Sequence, residues 1–101
     1  MLEAIITDME SSFRKGVIQE KTSFRFTLDE VTITVVLDAQ SYSVERGTAV
    51  SAADCSCGTS AEMFGKIWNE GYRPGIMDFF GGAIKCDLPL MLPRFLQAFG
   101  K

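Results

Sequence analysis

The sequence predicts an α+β domain: a five-stranded, mainly antiparallel sheet with helices packed on one face. Three observations lead there. Apolar side chains recur every three or four residues at the N-terminus and again beyond residue 59, the spacing that lines one side of a helix. Between residues 21 and 58 the apolar period falls to two, which sends alternate side chains to opposite faces of a strand. Glycines, prolines and the short turn "LDEV" separate these segments.

Each element follows from its own residues. Leu2, Ile5, Ile6, Met9 and Phe13 share one face of a first helix, with Glu3, Asp8, Glu10 and Arg14 turned to water and Gly16 as its stop. Phe24, Phe26 and Leu28 alternate with polar residues in a first strand, and Val31, Ile33, Val35 and Leu37 do so in a second, the two joined as a hairpin. Tyr42 and Val44 continue into a third strand, and "VSAADCSCG" reads as a fourth with Cys55 and Cys57 on one face. Taken in order, these four strands make a meander with one polar side. Thr59 and Glu62 are spaced as a capping box for a helix that carries Met63, Phe64, Ile67 and Trp68 inward and closes at Gly71.

Pro74 fits the first position of a short helix containing Ile76, Met77, Phe79 and Phe80, which Gly81 and Gly82 terminate. Residues 83–88 form a fifth strand, with Ile84, Cys86 and Leu88 facing one way and Lys85 and Asp87 the other. A proline inside a helix costs about 3 kcal/mol. The last helix is therefore expected to start near Leu92 or Pro93 and to run to Phe99.

The totals bound what such a chain can do. Its 101 residues suit one domain spanning 1–101, and its 47% apolar and 23% charged content is that of a globular protein. A chain of this size buries about two thirds of its unfolded surface, so any ligand space is modest or shared with a second copy. The net charge is −3 and the ten Lys and Arg residues are scattered. That pattern lacks the footprint that phosphate backbones demand, so no nucleic-acid partner is expected. "MLEAIITDME" carries acids where a secretory signal carries positive charge, and no run approaches the roughly 18 apolar residues of a membrane span, so a cytoplasmic protein is expected. Three cysteines, an odd number, suggest reduced thiols.

Catalytic constellations are scarce. There is no histidine, hence no base for a Ser-His-Asp or Cys-His arrangement, and neither a metalloprotease helix motif nor a Gly-rich phosphate loop occurs. Asp78 and Asp87 could form a carboxylate pair for acid and base work, but both read better as capping or solvent-facing acids. Cys55 and Cys57 project from one face of a strand, and Cys86 joins them if the fifth strand pairs beside the fourth. Three thiolates with a water or Asp54 could hold zinc. The C-x-C spacing, however, lacks the usual wider separation and a second ligand pair, so these cysteines are expected to be small buried hydrophobes, with no metal and no cofactor.

The apolar residues of the C-terminal half outnumber what one face of five short strands can cover. The surplus calls for a lipid-like guest, a partner chain or a membrane surface.

The stretch "TSAEMFGKIWNEGYRPGIMDFFGGAIKCDLPLMLPRFLQAF" resembles the sterol carrier protein type 2 family. That family shows a capped helix with an inward aromatic, a glycine turn, a proline-led short helix, a glycine, an Ile-Lys strand, a turn acid and an apolar helix. Thr59 or Ser60, Phe64, Ile67, Gly71, Pro74, Phe80, Gly82, Ile84, Lys85, Asp87 and Leu96 occupy the matching places. Over the first half only the order of elements agrees. The resemblance implies a sheet and helices enclosing an apolar tunnel for sterols, fatty acyl chains or other lipids. It also gives Gly81 and Gly82 the task of reversing the chain where a Cβ would hinder a positive φ. The chain departs from the family in beginning its first helix at Met1, in ending on "FGK" without the Ser-Lys-Leu terminus of peroxisomal members, and in carrying Pro89 and Pro93 where the family continues smoothly into the final helix. Peroxisomal import is not expected, and the tunnel mouth should differ.

The expected function is thus non-catalytic binding of a lipid, fatty acyl or sterol-like ligand. Its expected lining is Phe64, Ile67, Trp68, Ile76, Met77, Phe80, Leu92, Phe95, Leu96 and Phe99. The alternative is an interaction module whose apolar helical face is closed by a homodimer or a partner enzyme, and transient membrane contact is compatible with either.

Overall fold

The computed structural model describes residues 2–47 and 53–101. Among them the chain runs α1 (Leu2–Ser12), β1 (Thr22–Leu28), β2 (Val31–Leu37), β3 (Tyr42–Arg46), β4 (Cys55–Thr59), α2 (Ala61–Glu70), α3 (Ile76–Phe80), β5 (Lys85–Cys86) and α4 (Met91–Ala98). This is the α+β order read from the sequence. The expected start of the fourth strand, residues 50–52, lies outside the described residues. No described helix is long and apolar enough to cross a membrane.

The described sheet has five strands in the order β3-β2-β1-β4-β5. Three of its pairs are antiparallel, whereas β1 and β4 run parallel. The sheet is mainly antiparallel, as expected, but it is not a continuous meander, because β4 pairs with β1 and not with β3. Burial gives the reason. Phe24, Phe26 and Leu28 of β1 are buried, so β1 belongs in the middle with a strand on each side. β3 buries no residue fully and can stand at the edge. In this register Phe24 lies between Val35 and Cys55, and Phe26 between Ile33 and Cys57. All six therefore share the helix-covered face.

Local chemistry fixes the joints. Asp29 turns the β1–β2 hairpin with φ 57, a conformation that Asp tolerates better than most residues. Its N–H donates to the Thr59 carbonyl at 3.2 Å, and its carboxylate accepts from the Ala61 N–H at 3.0 Å, so the hairpin braces the start of α2. The N-cap of α2 is Ser60, whose hydroxyl accepts from the Met63 N–H at 3.0 Å, and not Thr59 as the capping-box spacing suggested. Thr59 is still in β4, and its hydroxyl donates to the Ala83 carbonyl at 2.8 Å. Glu62 then stands one position too early to complete the box. Gly71 ends α2 in the left-handed region at φ 69, as expected.

Pro74 precedes α3 and does not open it; the helix starts after Gly75. Gly82 does take a positive φ of 85, but Gly81 sits at −75. What Gly81 supplies is space: a Cβ there would lie 2.8 Å from the Met77 carbonyl oxygen. β5 is shorter than residues 83–88 because Asp87 ends it. The Asp87 carboxylate takes the Ser56 N–H at 2.8 Å while its own N–H donates to the Ser56 carbonyl at 3.1 Å. Pro93 is tolerated in the first turn of α4, where its missing N–H has no helical partner to lose.

The core lies between the sheet and α1, α2 and α4. Ile5 and Met9 of α1, Phe64 and Trp68 of α2, and Phe95 and Phe99 of α4 meet the buried strand residues there. The Phe95 ring lies 5.1 Å from Phe24, 4.8 Å from Phe26, 6.4 Å from Trp68 and 5.2 Å from Phe99, so this one side chain joins both layers.

Candidate functional site

The ten residues expected to line a ligand space do not share one environment. Phe64, Ile67, Trp68, Leu92, Phe95, Leu96 and Phe99 are buried in the core. Ile76, Met77 and Phe80 face solvent on α3, at 68%, 75% and 80% exposure. The reason is helix length. Ten residues give α2 almost three turns, enough for a stripe that rests on the sheet. Five residues give α3 little more than one turn, and its four apolar side chains point around the whole circumference. Of these, only Phe79 packs against the core.

α3 is held mostly by polar contacts of one residue. The Asp78 carboxylate accepts from the Tyr72 hydroxyl at 2.6 Å and from the Gly75 N–H at 2.8 Å, and its carbonyl accepts from the Ile84 N–H at 3.0 Å. The Tyr72 hydroxyl, and after it the Gly75 amide, hold the Asp78 carboxyl below its usual range. Leu88 and Leu90, between β5 and α4, are also exposed at 48% and 88%.

A second polar anchor holds Trp68 of α2. The Trp68 indole N–H donates to Asp8 Oδ2 at 2.8 Å, and Lys101 Nζ lies 3.1 Å from the same oxygen and 5.0 Å from the Trp68 ring. The Trp68 hydrogen bond and the Lys101 ammonium lower the Asp8 pKa. Helical spacing gave no sign of this contact, because it joins residues 60 apart.

None of three clefts on the described surface is lined by any of the ten residues. The first, about 590 Å³, is bordered by Lys21, Ser23, Asp38, Tyr42, Glu45 and Asp54. A second, about 330 Å³, lies among Thr27, Asp29, Thr59, Gly82 and Lys85. The third, about 340 Å³, lies beside Ile18, Glu20, Met91 and Arg94. The border of the first is mainly polar, and those of the other two mix polar and apolar surface.

The cysteines correct one expectation. They are not all reduced thiols: Cys57 and Cys86 are joined as a disulfide, and Cys55 is free and buried. The antiparallel register of β4 and β5 sets Cys57 opposite Cys86, which is what the sequence left open. Burial, and then the neighbouring Asp87 carboxylate, push the Cys55 thiol up to about 11. Asp87, just beyond β5, and Asp78, in α3, both accept backbone N–H groups.

The fold is similar to those of solved structures. The stereoselective inverting sec-alkylsulfatase Pisa1 from Pseudomonas sp. matches with a TM-score of 0.71 at 12% identity, over 85% of this chain and 14% of that one. The chain thus spans a small fraction of that enzyme's length. The ubiquinone synthesis protein UbiJ-SCP2 matches with a TM-score of 0.57 at 15% identity, over 94% of this chain and 73% of that one. Comparison with family models and with curated protein sequences finds no match. At these identities the likeness establishes the fold, which is α+β and like that of sterol carrier protein type 2.

Proposed function

We propose that this protein binds an elongated apolar molecule, a lipid, fatty acyl chain or sterol-like compound, without transforming it. The observation that carries the reading is a helix with its apolar residues in water, α3, placed after an aromatic core and attached to it through Phe79 and Asp78. α3 lifts at small cost, because Phe79 and the Asp78 bonds hold it, and a guest then parts the packed core side chains behind it. A guest that enters beneath it meets Phe64, Ile67 and Trp68 from α2 and Leu92, Phe95, Leu96 and Phe99 from α4. Ile76, Met77 and Phe80 then close over the guest and leave water, at about 25 cal/mol per Å² of apolar surface covered. Met77 adapts to guests of different shape. The same three side chains meet a membrane surface while a guest is collected. The fold shared with UbiJ-SCP2 supports this reading.

The test uses a fluorescent fatty acid with the purified full chain. The expected result is saturable uptake, displaced by unlabelled fatty acid and weakened at least about tenfold, or 1.4 kcal/mol, in Ile76→Ser/Phe80→Ser. Uptake that is absent, or equal in that variant, would overturn it.

A second reading draws on Leu88 and Leu90, which add exposed apolar side chains to those of α3. In it a second copy covers this surface and no guest is carried. Light scattering separates the two: a dimer that Leu90→Ser dissociates, together with no fatty acid uptake, favours the interaction module.

A further inference from the structure

We propose that the reduced chain holds one zinc ion on the sulfurs of Cys55, Cys57 and Cys86, at the sheet edge where β5 pairs with β4. The proposal is independent of the apolar-guest reading, because it uses none of the side chains assigned to the guest.

Geometry carries it. Residues two apart in a strand project from one face, so Cys55 and Cys57 point together, and the antiparallel register brings Cys86 opposite Cys57. The Cys55 sulfur lies 3.8 Å from that of Cys57 and 3.7 Å from that of Cys86, and all three sulfurs lie within 4.8 Å of one another. A tetrahedral zinc bonded to sulfur at about 2.3 Å requires sulfur separations of about 3.8 Å. The distances from Cys55 already meet that requirement. The frame is also fixed, since β4 is hydrogen-bonded to β1 on one side and β5 on the other.

The surroundings fit a cation. Cys55 and Cys57 are buried, whereas Cys86 is half-buried and followed by exposed Asp87 and Leu88, so an ion can approach from that side. The Asp87 carboxylate is fixed beside β4 by the Ser56 N–H. The Leu88 carbonyl, 3.6 Å from the Cys55 sulfur, adds a second oxygen. Three protein ligands leave a fourth position for water or an external ligand. Thiolates select thiophilic ions, and zinc does not itself oxidise them.

The ion and the Cys57–Cys86 disulfide use the same sulfurs and exclude one another. A dithiol reductant opens the bond by thiol–disulfide exchange: its own sulfurs become a disulfide, two electrons pass to Cys57 and Cys86, and each of these gains a proton. Zinc then displaces the protons of the three thiols, forming three zinc–sulfur bonds and releasing three protons to solvent. Side-chain rotation separates the Cys57 and Cys86 sulfurs to the spacing that the ion requires.

The test reduces the full chain, removes the dithiol without air and titrates with cobalt(II) as a spectroscopic probe, then with zinc. The expected result is one equivalent of tetrahedral cobalt with thiolate charge-transfer absorption, displaced by one equivalent of zinc. Oxidised chain should show no such absorption. Cys86→Ser, at the half-buried edge, should lose more than the roughly 10- to 100-fold in affinity that removing a supporting partner costs. The oxidised wild type supplies a comparison that needs no substitution and no folding control. No thiolate absorption in the reduced wild type, or equal binding by the oxidised chain or by Cys86→Ser, would overturn the proposal.

Discussion

Helices α2 and α3 are both rich in large apolar side chains, yet α2 buries Phe64, Gly65, Ile67 and Trp68 whereas α3 buries none. The apolar count does not separate them. What separates them is the number of turns over which one face can be sustained, and the way the ends are held. α2 has a serine cap, a left-handed glycine stop and the brace from Asp29. α3 has Asp78 bonding to Tyr72 and Gly75 and one ring, Phe79, turned inward. Burial in this fold therefore follows reach into the core more than hydrophobicity.

The sharpest way to break this contrast is at its deepest ring. Phe95→Ala should destabilise the protein by about 3–5 kcal/mol in urea unfolding, because it removes the contact between both layers. Phe95 and Phe80 would look alike in a count of aromatics, so a small loss at Phe95 would remove the distinction. Next in size is the cap: Ser60→Ala should cost about 1 kcal/mol by the same measurement, since it leaves the Met63 N–H without its acceptor.

Acid should sharpen the comparison further. Asp8 and Asp78 both have folded pKa values below the ordinary carboxyl value of 3.8. The stability each contributes is present above that unfolded value and is lost as pH falls through the lower folded value. Below pH 3.8, protonation of Asp78 should loosen α3 alone and that of Asp8 should loosen the Trp68 side of the core. Amide exchange resolves the two: Asp78→Asn should speed exchange in Ile76–Phe80 at neutral pH and leave Phe64–Trp68 protected. The smallest effect belongs to the surface. Phe80→Ser should change the unfolding free energy by no more than about 0.5 kcal/mol, so any larger loss would mean that the α3 patch is covered in solution.

Much of this architecture can be read directly from residue order. The switch from a period of three or four to a period of two at residue 21, and back near residue 60, marks the elements because it follows from helix and strand geometry alone. Capping was legible to within one residue: both Thr59 and Ser60 can cap, and only the hydrogen bond of Thr59 to Ala83 assigns the role to Ser60. The placement of β4 was not legible. Four alternating strands suit a meander as well as a crossover, and the choice rests on covering both edges of β1. The division of the candidate lining into buried and exposed residues was likewise hidden, since Ile76, Met77 and Phe80 have the same chemistry as residues that face inward.

The sequence by itself determined the α+β class, the order of elements, the hairpin and the inward stripe of α2, because each depends on side-chain periodicity and turn chemistry within a few residues. Only the tertiary structure decided that β4 lies parallel to β1, that Cys86 meets Cys55 and Cys57 across a sequence separation of 31 and 29 residues, and that α3 keeps its apolar residues in water. Those outcomes depend on which distant strands exclude water from which faces, a competition among the layers that no local pattern records.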